Sequence, residues 1–301
     1  MCSVQQKIDK VHGDKIVETK KRNPILAPLL SIVAPGLGQI YNGQLVKGII
    51  LYLIGFSISI ILSLAGLQFS FYGMIFALAL LICIELFIVG DALFIALKKK
   101  EIVLRSFNKW YFYILFAILA FGIAEVTDRF VDTTKAFSMP SGSMIPTLMV
   151  GDHIIVHLEH HKINKVKRGD IIVFNYPKDP EGDFVVSKYQ KNPEGDWIKR
   201  IIAVEGDVIQ GKDKVIYLNG EELREPYVKH SDVNIRTDKY DTRDNFGPVK
   251  IPENKIFVMG DNRDQSYDSR YCGFVDVKDI KGKALYVYWA EDKSRIGKEI
   301  K

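Results

Sequence analysis

The chain carries only three cysteines in its 301 residues, Cys2, Cys83 and Cys272, spread over a polar tail, an apolar run and the polar C-terminal half. No two of them form an arguable pair, so a disulfide framework is excluded and the C-terminal half must fold without bridges. Histidine is scarce as well: the six residues are His12, His153, His157, His160, His161 and His230. None has the setting of a Ser-His-Asp triad. The HExxH zinc signature is absent, and HIIVHLEHH, from His153 to His161, reads as surface or loop histidines. Neither a metal nor any other cofactor is expected. A cleavable signal peptide is not apparent, because Met1 to Asn23 is polar throughout.

What is present is unevenly distributed. Apolar residues make up 48% of the chain and crowd into its first 127 positions. Gly48 to Leu67 is twenty residues without a charge, and Phe71 to Leu97 is interrupted only by Glu85 and Asp91. Both are long enough to cross a bilayer. Trp110 to Val126, about seventeen residues, lies at the short end of the spanning range and opens on interfacial aromatics. The stretch from Pro24 to Gly43 contains Pro24, Pro28, Pro35, Gly36 and Gly38, which break helix hydrogen bonding. It is expected to be re-entrant or interfacial rather than spanning.

Basic residues cluster before the first run (Lys7, Lys10, Lys15, Lys20, Lys21, Arg22) and after the second (Lys98, Lys99, Lys100, Arg105, Lys109). Positive loops stay in the cytoplasm. Three spans keep both clusters inside and carry the remainder outward. The expected organisation is a cytoplasmic tail (1–23), a membrane region (24–127) and an extracytoplasmic domain (128–301). The net charge of +5 reflects these flanking residues, so no nucleic-acid partner is assigned. Glu85 and Asp91 are expensive in hydrocarbon and should face protein, water or the interface.

Beyond residue 128 short alternating or apolar runs, separated by Gly, Asp, Asn and Pro, predict strands at His153–Leu158, Asp170–Tyr176, Trp197–Val204, Val215–Leu218, Lys255–Met259 and Ala284–Trp289. Asn219-Gly220 is a two-residue hairpin signal. The expected fold is N-terminal transmembrane α-helices followed by a mostly antiparallel all-β domain of coiled sheets. Residues 178–196 and 227–250 are expected as loops or surface hairpins.

The stretch MPSGSMIPTL, Met139 to Leu148, places Ser143 just beyond the last apolar run. A serine hydroxyl needs a base to act as a nucleophile, and no histidine qualifies. Lys199, in the apolar run WIKRIIAVEGD, is a candidate, since burial disfavours an ammonium and lowers its pKa. Alternation puts Trp197, Lys199 and Ile201 on one strand face. A lone lysine in such a strand more often snorkels or pairs than catalyses. A third element, GDNRDQSYDSRYCGF from Gly260 to Phe274, reads alone as a turn laced by ion pairs.

Together SGSMIPTL, GDIIVFNYP (169–177), WIKRIIAVEGD (197–207) and GDNRDQSYDSR (260–270) resemble the bacterial type I signal peptidases, the leader peptidases of serine protease family S26. The resemblance covers about 138 to 290. It implies a membrane-bound endopeptidase that removes signal peptides from exported preproteins after Ala-x-Ala-like small residues. Ser143 would be the nucleophile and Lys199 the general base. Ser141 and the Ser143 N–H would form the oxyanion hole, and Ser266 would hydrogen-bond and orient the lysine amine. Asp268, Arg270, Arg200, Asp261 and Arg263 would brace the site. Phe137, Met139, Pro140 and Met144 would contact substrate, with Met139, Met144 and Ile145 lining pockets or touching lipid, and the strand at about 137–140 would be the edge to which substrate adds. The implied partners are exported preproteins, the lipid bilayer and the translocation machinery.

The extra N-terminal region, including APGLGQIYNGQLVKG at 34–48, is not accounted for by this resemblance, and Cys272 replaces the residue usual beside the glycine. The cysteine is expected as a small buried hydrophobe. A catalytically inactive receptor or scaffold that binds signal peptides is the alternative from another class. Other Ser/Lys hydrolases fit less well: self-cleaving regulators are soluble, and the S-x-x-K match at Ser106–Lys109 falls in a predicted cytoplasmic loop without companion motifs.

Overall fold

The computed structural model describes residues 8–12, 15–99, 101–131, 133–158, 166–175, 195–237 and 241–301. The chain divides into two compact units: Met1–Gln68 with Tyr72–Asp132, and Thr133–Lys301 with Phe69–Phe71.

In the first unit β1 (Ile8–His12) and β2 (Lys15–Lys21) form a hairpin, followed by short helices α1 (Leu26–Val33) and α2 (Leu37–Tyr41). The prolines punctuate these helices: Pro24 precedes α1, Pro28 falls in its first turn, where its missing N–H costs nothing, and Pro35 separates α1 from α2. The long helices are α3 (Leu45–Leu64), α4 (Phe71–Lys98) and α5 (Trp110–Val131). By length and composition α3 and α4 can cross a membrane, and α5 contains a shorter apolar stretch, Trp110–Val126. Between α4 and α5, β3 (Glu101–Val103) pairs with β2, Lys20 opposite Ile102. The glycines of the 34–48 stretch let α2 and α3 meet closely. A Cβ on Gly36 would lie 2.1 Å from the Gly48 carbonyl oxygen, and one on Gly48 would lie 2.4 Å from that of Gly36.

Asp91 of α4 is held by this stretch. It accepts from Lys47 Nζ at 2.6 Å and from Gln39 Nε2 at 3.1 Å, while Asn42 donates to the Ala92 carbonyl at 2.8 Å. Asp91 therefore faces protein, and its charge is neutralised by an ion pair.

The second unit is built on a seven-stranded antiparallel sheet. Its members are β4 (Thr134–Ser138), β5 (His153–Leu158), β6 (Ile171–Asn175), β7 (Asp196–Val204), β12 (Lys255–Met259), β13 (Val275–Asp276) and β14 (Ile280–Trp289), in the order β13-β12-β7-β6-β14-β5-β4. A four-stranded sheet, ordered β10-β9-β8-β11, contains β8 (Val208–Lys212), β9 (Val215–Leu218), β10 (Glu221–Glu222) and β11 (Phe246–Lys250). Asn219 and Gly220 take φ of 55° and 86° between β9 and β10, the two left-handed residues that a tight hairpin needs.

Central β7 is buried on both faces from Ile198 to Ala203, with Ile198 in one apolar cluster and Ile201 in another. Its simple alternation ends at a bulge opposite Phe257 and Val258.

Two sequence expectations are corrected here. Residues 227–250 are more than loops or surface hairpins: Phe246–Lys250 is β11, and Thr242, Arg243 and Asp244 are buried. Polar composition suggested exposure, but the charges are paired internally, Arg243 with Asp244 at 2.8 Å and with Asp232 at 2.9 Å. His157 likewise is buried on β5 rather than solvated. His160, His161 and most of the expected loop at 178–196 lie outside the described residues.

Candidate active site

Ser143 sits in a single turn of 3-10 helix, Gly142–Met144, reached from edge strand β4. That turn is clamped from the distant polar loop after β12. The backbone N–H of Asn262 donates to the Ser143 carbonyl at 3.0 Å, and its side-chain amide donates to the Gly142 carbonyl at 3.0 Å. Gly260 makes the approach possible, because a Cβ there would lie 2.2 Å from Ser266 Oγ and 2.4 Å from the Ser143 carbonyl oxygen.

Lys199 projects from β7 to the same point. Its Nζ donates to Ser143 Oγ at 2.9 Å and to the Ile198 carbonyl at 3.1 Å, and it lies 5.3 Å from the Trp197 ring centroid. The residue is 5% exposed. Burial pushes its pKa down to about 8, against the opposing pull of the Asp268 carboxylate. Both atoms bonded by its amine are neutral oxygens, so the low value follows from a desolvated cation with no carboxylate in direct contact among the described residues.

The charged residues of the third motif are taken up in ion pairs of their own instead. Arg200 makes a fork with Asp261, Nε to Oδ1 at 2.9 Å and Nη2 to Oδ2 at 2.7 Å, and stacks 3.8 Å from the Tyr227 ring centroid. Asp261 also accepts from Thr147 at 2.5 Å, tying the turn beyond Ser143 to the loop. Arg270 forks onto Asp268 with both distances 2.9 Å, and the Gly260 N–H donates to Asp268 at 3.0 Å. Burial pushes the Asp268 carboxyl up, but Arg270 and the Gly260 N–H outweigh it and hold its pKa below the ordinary range. Arg263 pairs with Glu225.

Ser141 stands at the mouth of the groove, its Oγ 3.4 Å from Ser143 Oγ. Ser266 is buried beside Gly260, but its Oγ has no hydrogen-bond partner among the described residues. The expected bond from Ser266 to the lysine amine is therefore not made in this structure, where the amine donates to Ser143 and Ile198. A further correction concerns Met144, which is 0% exposed and belongs to the core, so it neither lines the groove nor reaches lipid. Met139 is also largely buried but does line the groove, as does exposed Pro140, whereas Phe137 packs against the core from β4. Cys272 is buried, and desolvation raises its thiol pKa to about 12, so it behaves as an apolar residue.

The groove encloses about 370 Å³ along Pro140, Ser141, Ser143, Trp197 and Lys199, closed by Gln265 and Tyr267. These last two, and the clamp residue Asn262, were missed as site residues. All three lie in the recognised polar motif, whose charges drew attention away from them. Among the described residues no group of His, Cys, Asp and Glu side chains forms a metal site.

Comparison with known proteins identifies the family. The family model described as signal peptidase, peptidase S26 matches residues 108–289. Signal peptidase I of Bacillus amyloliquefaciens is 36% identical over 154 residues, 51% of this chain and 75% of that protein. Signal peptidase I S of Bacillus subtilis strain 168 is 33% identical over 200 residues, 66% of this chain and 95% of that protein. A crystal structure of a signal peptidase I from Enterococcus faecalis V583 aligns over 40% of this chain and 97% of its own, with 29% identity and a TM-score of 0.30. The chain belongs to the signal peptidase family, peptidase S26. It is a serine peptidase by that membership.

Proposed function

We propose that this chain is a membrane-anchored signal peptidase that cleaves exported preproteins behind small residues of the Ala-x-Ala type, using Ser143 and Lys199 as a dyad. The observation that carries the reading is the 2.9 Å contact between Lys199 Nζ and Ser143 Oγ, with the amine buried and its pKa lowered to about 8. At that value roughly one amine in ten is neutral at pH 7, enough to supply a base.

The neutral amine takes the Ser143 proton as Oγ attacks the scissile carbonyl. The tetrahedral oxyanion is held by the Ser143 N–H and the Ser141 hydroxyl. Lys199 then gives its proton to the leaving amine of the mature protein, leaving the signal peptide as an ester on Ser143. Water, deprotonated by the same lysine, hydrolyses that ester and restores the serine. Substrate lies extended along the groove toward β4, whose outer edge lacks a partner among the described strands, so an added strand satisfies its backbone. The Trp197 and Tyr267 rings, 5.9 Å apart, wall the groove and favour small side chains.

The proposed organisation is a cytoplasmic tail (1–23), a three-span membrane region (24–127) and an extracytoplasmic catalytic domain (128–301). Pairing of β2 with β3 supports it: the basic tail and the basic loop after α4 share a sheet, as two segments on one side of a bilayer can. A hairpin of α3 and α4 followed by an outward α5 meets that condition. Tethering at the bilayer surface raises the effective concentration of emerging cleavage sites.

The test is cleavage of a preprotein with an Ala-x-Ala site by the solubilised full chain, compared with Ser143→Ala and Lys199→Met after a folding check. Cutting by the wild type after that site and a loss of at least about a thousandfold in both variants are expected. A folded wild type inactive on several preproteins would replace this reading with that of a signal-peptide receptor, and variants that still cut would overturn the Ser143–Lys199 dyad.

A further inference from the structure

The first unit contains a cavity of about 420 Å³ between α3, α4 and α5, floored by Val33, Ala34 and Pro35 at the junction of α1 and α2. Its walls are formed at helical spacing: Tyr52, Gly55 and Ser59 of α3 share one face, as do the α4 residues around Glu85. The size falls within the range of small-molecule sites, and the space between helices of a bundle is a usual place for one. Most of this unit precedes residue 108, where the peptidase match begins. The cavity is thus built largely from the part of the chain that the cleavage chemistry does not use.

Only three lining side chains are polar, Tyr52, Ser59 and Glu85. Tyr52 donates its hydroxyl to the Ala120 carbonyl at 2.9 Å, and Ser59 donates to the Phe56 carbonyl at 2.7 Å. Glu85 differs: its Oε1 is buried and has no hydrogen-bond partner among the described residues. The contrast with Asp91, on the same helix, is informative. Asp91 is matched by Lys47 and Gln39, whereas Glu85 Oε1 lies against an apolar space with no donor among the described residues. An acidic group at such a depth marks a functional site, and the group it lacks is a hydrogen-bond donor.

We infer that this cavity binds a lipophilic molecule carrying one small hydrogen-bond-donating group, an alcohol or an amine, with its apolar body between α3, α4 and α5 and its donor on the Glu85 carboxyl. Glu85 lies fourteen residues into α4, about 21 Å along the helix. A phospholipid headgroup, confined to the interface, does not reach that depth, and the apolar walls offer no partners for a sugar or phosphate. The ligand is a bilayer-soluble molecule whose single donor tolerates the hydrocarbon. The inference does not rest on the peptidase reading.

The experiment uses the full chain in lipid nanodiscs with a diazirine-bearing decanol, mapping labelled peptides by mass spectrometry and competing with 1-decanol, decylamine or decane. Label is expected on 81–88 and 120–124, displaced by decanol or decylamine and not by decane. Displacement by decylamine alone would support the same site and identify an amine as its ligand. Glu85→Met removes the acceptor, and Gly55→Leu fills the space from the opposite wall, where an added Cβ meets nothing within 4 Å. Each should weaken competition by roughly tenfold or more, with far-UV circular dichroism unchanged. Uniform labelling along the helices, equal displacement by decane, or unaltered competition in a folded variant would overturn the inference.

Discussion

The groove and the polar loop beneath it bury cations to similar depth but treat them in opposite ways. In and around the loop each of these buried arginines has its own carboxylate: Arg200 of β7 with Asp261, Arg263 with Glu225, Arg270 with Asp268 and Arg243 with Asp244. In the groove the amine of Lys199 bonds, among the described residues, two neutral oxygens. Pairing keeps a guanidinium charged and fixed. Leaving the amine without a contacting carboxylate makes it release its proton near neutrality. The loop holds its charges fixed and the groove holds a cation that gives up its proton, from the same ingredients of charge and burial.

The largest break in this contrast comes from the loop. Asp268→Ala leaves Arg270 buried and uncompensated, and should destabilise the domain by about 3–5 kcal/mol in denaturant unfolding. The double variant Asp268→Leu, Arg270→Met should recover most of that, because neither charge then remains unpaired.

On the groove side Ser141→Ala should lower kcat by about 100-fold, or about 2.7 kcal/mol, with little change in KM and in thermal stability. A KM effect equal to the kcat effect would reassign Ser141 to ground-state binding.

The smallest effect is the dependence on pH. With Lys199 titrating at about 8, activity should climb about tenfold per pH unit below that value and level above it. The folded value lies below the ordinary 10.5, so between the two the unfolded chain binds the extra proton. Lys199 therefore contributes stability that rises with pH from about 8 to 10.5. Asp268 holds the lysine pKa up, so Asp268→Asn should move the activity midpoint to lower pH if the fold survives.

Several strands of the β-rich unit were legible because they run between turn residues that cannot continue them, whereas β8, β10, β11 and β13 were not read from the sequence. His153–Leu158 and Lys255–Met259 end where the sequence predicts, and Asn219-Gly220 could form only a hairpin. The long apolar helices were legible for a similar reason, since their length and lack of charge leave few alternatives. What escaped were pairings without a local signal. Arg243 and Asp244 look like surface residues until the loop at 260–270 packs over them. Asp91 gives no hint that Gln39 and Lys47, more than forty positions earlier, will meet it. At the site, Ser143 and Lys199 stood out as residue types in motifs. The clamp by Asn262 and the missing bond to Ser266 depend on distances that spacing does not encode.

The clamp also has a meaning in time. Gly142 and Asn262 are 120 positions apart. A ribosome therefore delivers the serine and the lysine well before the segment that shapes the serine's turn. Until Gly260 and its neighbours have emerged and docked, the nascent chain holds Ser143 without the contacts that shape its turn. On the proposed dyad, the active site is therefore completed only late in synthesis, when the segment around Asn262 can close on the turn that holds Ser143.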